Sequence, residues 1–128
     1  MEKIKVLLVD DHQIILDGVK SLLEGTPDID VAALANNGHE ALNTLDIISI
    51  DIVLMDIDMP NLNGIDATKQ ISAKFKDVNV IMLTMHNESS MINNLIDIGA
   101  SGYLLQNSSK EELLDAIYKV FKGEKYFS

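Results

Sequence analysis

Short runs of β-branched and aliphatic residues alternate along the chain with longer stretches in which apolar residues recur at helical spacing. Residues 4–9, 30–35, 51–55, 78–83 and 102–105 read as strands. The segments 6–9, 52–55 and 80–83 are apolar on both faces, as expected of central strands in a parallel sheet covered on both sides. The runs around Val31 and Leu104 are weaker and belong nearer the edges. Between the strands, Ile15, Val19, Leu22 and Leu23 share one helical face, and Gly25 with Pro27 ends that helix. Ala41, Leu42 and Leu45 mark a second helix, opened by Asn36 or Asn37. Ile65, Thr68, Ile71 and Phe75 mark a third. Met91, Ile92, Leu95 and Ile96 mark a fourth, stopped at Gly99. Ser108 and Ser109 precede Glu111 and Glu112 at capping-box spacing. They open a fifth helix carrying Leu113, Leu114, Ile117, Val120 and Phe121, closed by Gly123. The units share pattern rather than residues, so they are not a sequence repeat. Five βα units with right-handed crossovers predict an α/β fold, a doubly wound five-stranded parallel sheet with helices on both faces.

Ligands in such sheets bind outside the carboxyl ends of the strands, where the strand order reverses. The first strand ends in Asp10 and Asp11. The third ends in Asp56, followed by Asp58, Met59 and Pro60; the fourth ends in Thr84 and the fifth in Gln106. With strand order 2-1-3-4-5, the first and third strands are neighbours, and Asp10, Asp11 and Asp56 converge. Close carboxylates repel by about 4 kcal/mol per pair at 4 Å and an effective dielectric near 20. They stay ionised together only if a cation joins them, and a small cluster of hard oxygen ligands suits Mg²⁺. A single acid at a strand end is ordinary solvation of a loop; three converging beside a threonine are not. Asp28, Asp46 and Glu111 read as surface or helix-terminal charges.

The 128 residues suffice for one domain, and a 47% apolar fraction argues against disorder. Cysteine is absent, which excludes a disulfide framework, an iron–sulfur cluster and a thiol nucleophile. Ten basic residues, all lysine, face twenty acidic ones, and a net charge of −10 disfavours direct binding to nucleic acid or an anionic membrane. The N-terminal apolar run Val-Leu-Leu-Val is too short for a signal peptide or a membrane span, so a cytoplasmic protein is expected. His12, His39 and His86 have no helical metal spacing, and a zinc site is not expected. His12 and His86 are placed near the cleft rim, His39 on the surface. Walker, GxGxxG and Gly-x-Ser-x-Gly motifs are missing.

Val-Asp10-Asp11 after the first strand, Asp56 after the third, Asp58-Met59-Pro60 with Gly64, Thr84, and Gly102-Tyr103 together resemble the receiver domain of bacterial response regulators, over the whole chain in order and spacing. The Asp11-His12 pair and Gly99-Ala-Ser-Gly102-Tyr103-Leu-Leu are most similar to the NarL/FixJ subfamily, which carries LuxR-type outputs. The resemblance implies a flavodoxin-like fold, with residues 1–124 as the receiver and 125–128 as the start of a linker or tail. It implies Asp56 as phosphoryl acceptor from a sensor histidine kinase or a small phosphodonor. It implies Mg²⁺ held by Asp11, Asp56 and the backbone carbonyl of Asp58, with Asp10 acting through water. Thr84 and Tyr103 would form the switch, altering the surface of the fourth helix, fifth strand and fifth helix. Asp58 and His86 would tune phosphate lifetime. Pro60 would fix a turn, and Gly64 would permit a bend before the third helix. Such a protein is no enzyme beyond its own phosphorylation and dephosphorylation. Its partners would be the kinase, a second copy in a homodimer, and DNA only through an output domain outside this chain; no membrane contact is expected.

One position departs from the family. Gln106 stands where the family has lysine. Three carboxylates, Mg²⁺ and an ammonium sum to zero; with glutamine the sum is −1, and a dianionic phosphoryl group arrives without its fixed cation. Two expectations therefore compete: a working receiver with slower phosphorylation, and a degenerate receiver acting as a phosphorylation-independent interaction module. A haloacid-dehalogenase-like phosphatase would also use Asp-x-Asp, but here Asp56-Ile-Asp58 falls mid-chain, with no room for that family's later motifs. Two carboxylates after the first strand likewise repel a flavin phosphate.

Overall fold

The computed structural model describes residues 3–57, 59, 62–84 and 89–127, and the alternation read from the pattern runs through it. In chain order the elements are β1 (Ile4–Val9), α1 (Gln13–Glu24), β2 (Ile29–Ala35), α2 (Gly38–Ile47), β3 (Ile52–Asp56), α3 (Gly64–Lys74), β4 (Asn79–Thr84), α4 (Ser89–Asp97), β5 (Gly102–Leu105), α5 (Lys110–Phe121) and β6 (Tyr126–Phe127). The sheet order is β2-β1-β3-β4-β5-β6, and every neighbouring pair is parallel. This is the expected flavodoxin-like order with one strand added.

Alternation of side chains across the pleat divides the core in two. Leu7, Val9, Val53, Met55, Val80 and Met82 meet Ala41, Leu45, Ala67, Ile71 and Leu95 of α2, α3 and α4 on one face. Val6, Leu8, Ile52, Leu54, Ile81 and Leu83 meet Leu16, Leu23, Leu113, Ala116, Ile117 and Val120 of α1 and α5 on the other. Strand β3 is buried at every position, which explains the unbroken apolar run Ile52–Met55 ahead of Asp56.

Polar side chains open α2, α3 and α5. Asn37 accepts the Glu40 N–H at 2.9 Å and Asn63 the Asp66 N–H at 2.9 Å. Of the two serines before α5, Ser109 is the cap, closing a box with Glu112. The helical faces differ in detail from expectation. On α1 the buried positions are Leu16 and Leu23, while Leu22 is exposed; Ile96 and Phe121 also face outward. Each stripe is narrower than the apolar run that announced it, because one parallel sheet covers only about a third of a helix circumference.

The sixth strand was not expected from the pattern. Gly123, at φ +96°, turns the chain after α5, a left-handed conformation that glycine adopts without strain. The Tyr126 N–H then donates to the Ser101 carbonyl at 3.0 Å, and Tyr126 and Phe127 pair with Gly102 and Tyr103. Two residues give no detectable strand period, so only the paired neighbour reveals them. Tyr126 and Phe127, within the stretch 125–128 expected as linker or tail, thus form a sheet-edge segment. Among the described residues, no helix is long and apolar enough to cross a membrane.

Candidate functional site

The carboxyl ends of β1, β3, β4 and β5 lie side by side. Asp10 follows β1 directly, and its N–H donates to the Ala35 carbonyl at 3.1 Å, fixing the turn out of the sheet. Asp56 is the last residue of β3, in register with Leu83 of β4. Adjacency of β1 and β3 brings their ends together, as strand order 2-1-3 requires. One ligand atom from each of Asp10, Asp11, His12 and Asp56 lies within 4.8 Å of the other three. Asp10 and Asp56 are buried, at 3% and 4% exposure, while Asp11 stands at the rim.

Hydrogen bonds account for part of this charge. Asp10 Oδ1 accepts the His12 backbone N–H at 2.9 Å and lies 3.0 Å from His12 Nδ1. The same nitrogen lies 3.0 Å from Asp11 Oδ1. These contacts raise the His12 pKa above its ordinary 6.5: first the hydrogen bond to Asp10, then the charges of Asp11 and Asp10, with a smaller pull from Asp56. Asp10 Oδ2 is buried with no hydrogen-bond partner among the described residues. A buried carboxylate oxygen in that state is strongly disfavoured unless a cation reaches it. The donor set, three carboxylates at a cleft with one oxygen orphaned, fits a hard divalent ion.

Gln106 follows β5, held by its N–H donating to the Thr84 carbonyl at 2.8 Å. Its Nε2 donates to Asp56 Oδ1 at 3.3 Å, a long bond from a neutral donor. Thr84 is fully buried at the end of β4 and pairs with Leu105. Tyr103 is buried in the α2–α3–α4 core, with Met82 on one side and Phe127 on the other. The strand carrying it is therefore flanked on both sides. Gly64 serves close packing: a Cβ there would overlap the Asp56 carbonyl oxygen and crowd Ile57 Cα, so the start of α3 can press against the end of β3 only with glycine. Asp58, Pro60 and His86 lie outside the described residues.

Sequence reasoning placed Asp10, Asp11, Asp56, Thr84 and Gln106 at this cleft, and all five stand there. It put His12 only at the rim and sought metal-binding histidines as helical pairs. The imidazole instead joins the carboxylates through its place directly after Asp11, a signal present in the sequence but overlooked by a spacing rule. Beside the cluster, His12, Gln13, Ile14, Ile15 and Gln106 line an open recess of about 380 Å³.

A family model described as the response regulator receiver domain matches residues 6–118. The transcriptional regulatory protein DegU of Brevibacillus brevis is 36% identical over 97% of this chain and 52% of its own length. The transcriptional regulatory protein LnrK of Bacillus subtilis (strain 168) is 41% identical over 94% of this chain and 54% of its own. A LuxR-family two-component response regulator from Aurantimonas sp. SI85-9A1 superposes with a TM-score of 0.92 at 33% identity, covering 98% of this chain and 89% of that one. The chain thus spans about half the length of the curated relatives it matches.

Proposed function

Because this chain belongs to the response regulator receiver domain family, we propose that Asp56 accepts a phosphoryl group from a sensor histidine kinase or a small phosphodonor, with Mg²⁺. The observation that carries the reading is the convergence of buried Asp10 and Asp56 with Asp11, leaving Asp10 Oδ2 unpartnered among the described residues. Asp11 and the Asp56 carboxylate would hold the metal, with Asp10 steering it through water and the Asp58 carbonyl as a further ligand by the family pattern. When bound, Mg²⁺ neutralises charge and orients the phosphoryl oxygens.

An Asp56 oxygen attacks phosphorus, and a P–O bond forms. The donor's P–N bond (phosphohistidine) or P–O bond (acetyl phosphate) breaks, its electron pair leaving with the donor. The β3 backbone, with α3 packed against it at Gly64, holds Asp56 for that approach, and the recess beside Gln106 leaves room for the donor. Gln106 Nε2, already on Asp56 Oδ1, turns to a phosphoryl oxygen as a neutral donor. Thr84 offers its hydroxyl to another, and its motion is felt at Tyr103 on the next strand. The chain turns over no separate substrate; its output is a changed α4–β5–α5 surface, read by a second copy or by a DNA-binding domain outside this chain.

Intact mass after incubation with acetyl phosphate tests this. A Mg²⁺-dependent gain of one phosphoryl group, absent in Asp56→Asn, is expected. No gain in this chain or in Gln106→Lys would overturn it.

A further inference from the structure

Resting on the reading of this cluster as a divalent-metal site, the geometry points to His12 as an additional protein ligand that biases the site toward nitrogen-accepting divalent ions such as Co²⁺ or Zn²⁺ relative to Mg²⁺. His12 Nδ1 lies 3.0 Å from Asp10 Oδ1 and 3.0 Å from Asp11 Oδ1. An octahedral ion with bonds of about 2.1 Å sets adjacent ligands roughly 3.0 Å apart and opposite ones roughly 4.2 Å apart. The separation from Asp11 Oδ1 equals that of adjacent ligands in one coordination shell, the contact with Asp10 Oδ1 is a hydrogen bond that an ion would displace, and the 4.8 Å enclosing one atom from each of the four residues is somewhat wider than the shell's diameter of roughly 4.2 Å.

Two further observations point the same way. Asp10 is 3% exposed, and its Oδ2 has no hydrogen-bond partner among the described residues, so the cluster is one ligand-seeking atom short of balance. His12 is the N-cap residue of α1, yet its side chain makes no capping bond. Its backbone N–H is instead tied to Asp10 Oδ1 at 2.9 Å, so the backbone holds the imidazole over the carboxylates. Imidazole suits Co²⁺, Ni²⁺ and Zn²⁺, whereas Mg²⁺ prefers carboxylate and water and gains little from nitrogen. A ligand of that kind separates the two classes of ion, which a set of carboxylates alone does weakly.

The test uses the full chain at pH 8. Co²⁺ binding is followed by its visible absorption and by paramagnetically shifted imidazole proton signals; Mg²⁺ binding is followed by competition against Co²⁺. The variants are His12→Ala, His39→Ala as control, and Asp11→Asn. In His12→Ala, Co²⁺ affinity should fall on the order of tenfold, with Mg²⁺ affinity nearly unchanged. The shifted imidazole signal should vanish there and persist in His39→Ala. Equal changes for both ions would mean that His12 acts only as a charge, and no change would mean that it does not touch the ion; either overturns the assignment. Failure of Asp11→Asn to weaken either ion would instead overturn the reading of the cluster as the metal site.

Discussion

At the scale of single residues, the neighbours of Asp56 set how fast the proposed acceptor would be phosphorylated. Gln106 reaches Asp56 Oδ1 with a neutral amide at 3.3 Å, where a lysine would bring a full charge. A charge-assisted bond is roughly twice as strong as a neutral one, a difference of about 1 kcal/mol. Gln106→Lys should therefore speed acetyl phosphate-driven phosphorylation about fivefold, measured as the initial rate of mass gain. An unchanged rate would mean that the charge deficit at this position does not limit the reaction. Asp10, Asp11, Asp56, Thr84 and Gln106 were legible as candidate site residues because each stands at or just past the end of a recognisable strand. The role of Gly64 was not, since a close approach between α3 and the end of β3 leaves no trace in composition.

At the scale of elements, two contacts tie the last helix and strand to the rest of the sheet. The Tyr118 hydroxyl of α5 donates to Asp28 Oδ1 at 2.8 Å, ninety positions away, in the connection leading into β2. Burial, then the bond to Asp28 and its charge, raise the Tyr118 pKa above 10.0. The neutral phenol is the form favoured by folding. Its contribution is complete below about pH 10, the unfolded value, and disappears as pH rises through the higher folded value. Tyr118→Phe should cost about 1 kcal/mol at pH 7 in urea unfolding, and the gap to the native chain should shrink above pH 10. Phe127 of β6 is half-buried beside Tyr103 against the α2–α3–α4 core. Phe127→Ala should cost about 1–2 kcal/mol, less than a fully buried phenylalanine, read from the same urea midpoints. A loss within error would show that β6 contributes nothing to the fold. β6 escaped the sequence pattern because two residues have no period, whereas β3, apolar from Ile52 to Met55, announced itself.

At the scale of the whole molecule, a chain of net charge −10 gathers three of its carboxylates at one end of the sheet. A cation that binds only the folded state stabilises it by mass action, by about 2.7 kcal/mol at a hundredfold excess over Kd. For a domain of this size the expected rise in Tm is on the order of 10 °C. Calorimetry with and without Mg²⁺ should show that rise in the native chain and lose most of it in Asp11→Asn. An equal rise in both would place the stabilising ion elsewhere. The sequence by itself determined the class of fold, the central strands, the capping residues before α2 and α5 and the acidic residues at strand ends, because these are local: periodicity, capping chemistry and strand termini lie within a few residues. Only the tertiary structure decided which helical faces were covered, that β5 is flanked by a sixth strand, and that His12 turns back over Asp10 and Asp11. Each of these depends on what a neighbouring element presents, and no short stretch of chain contains that information.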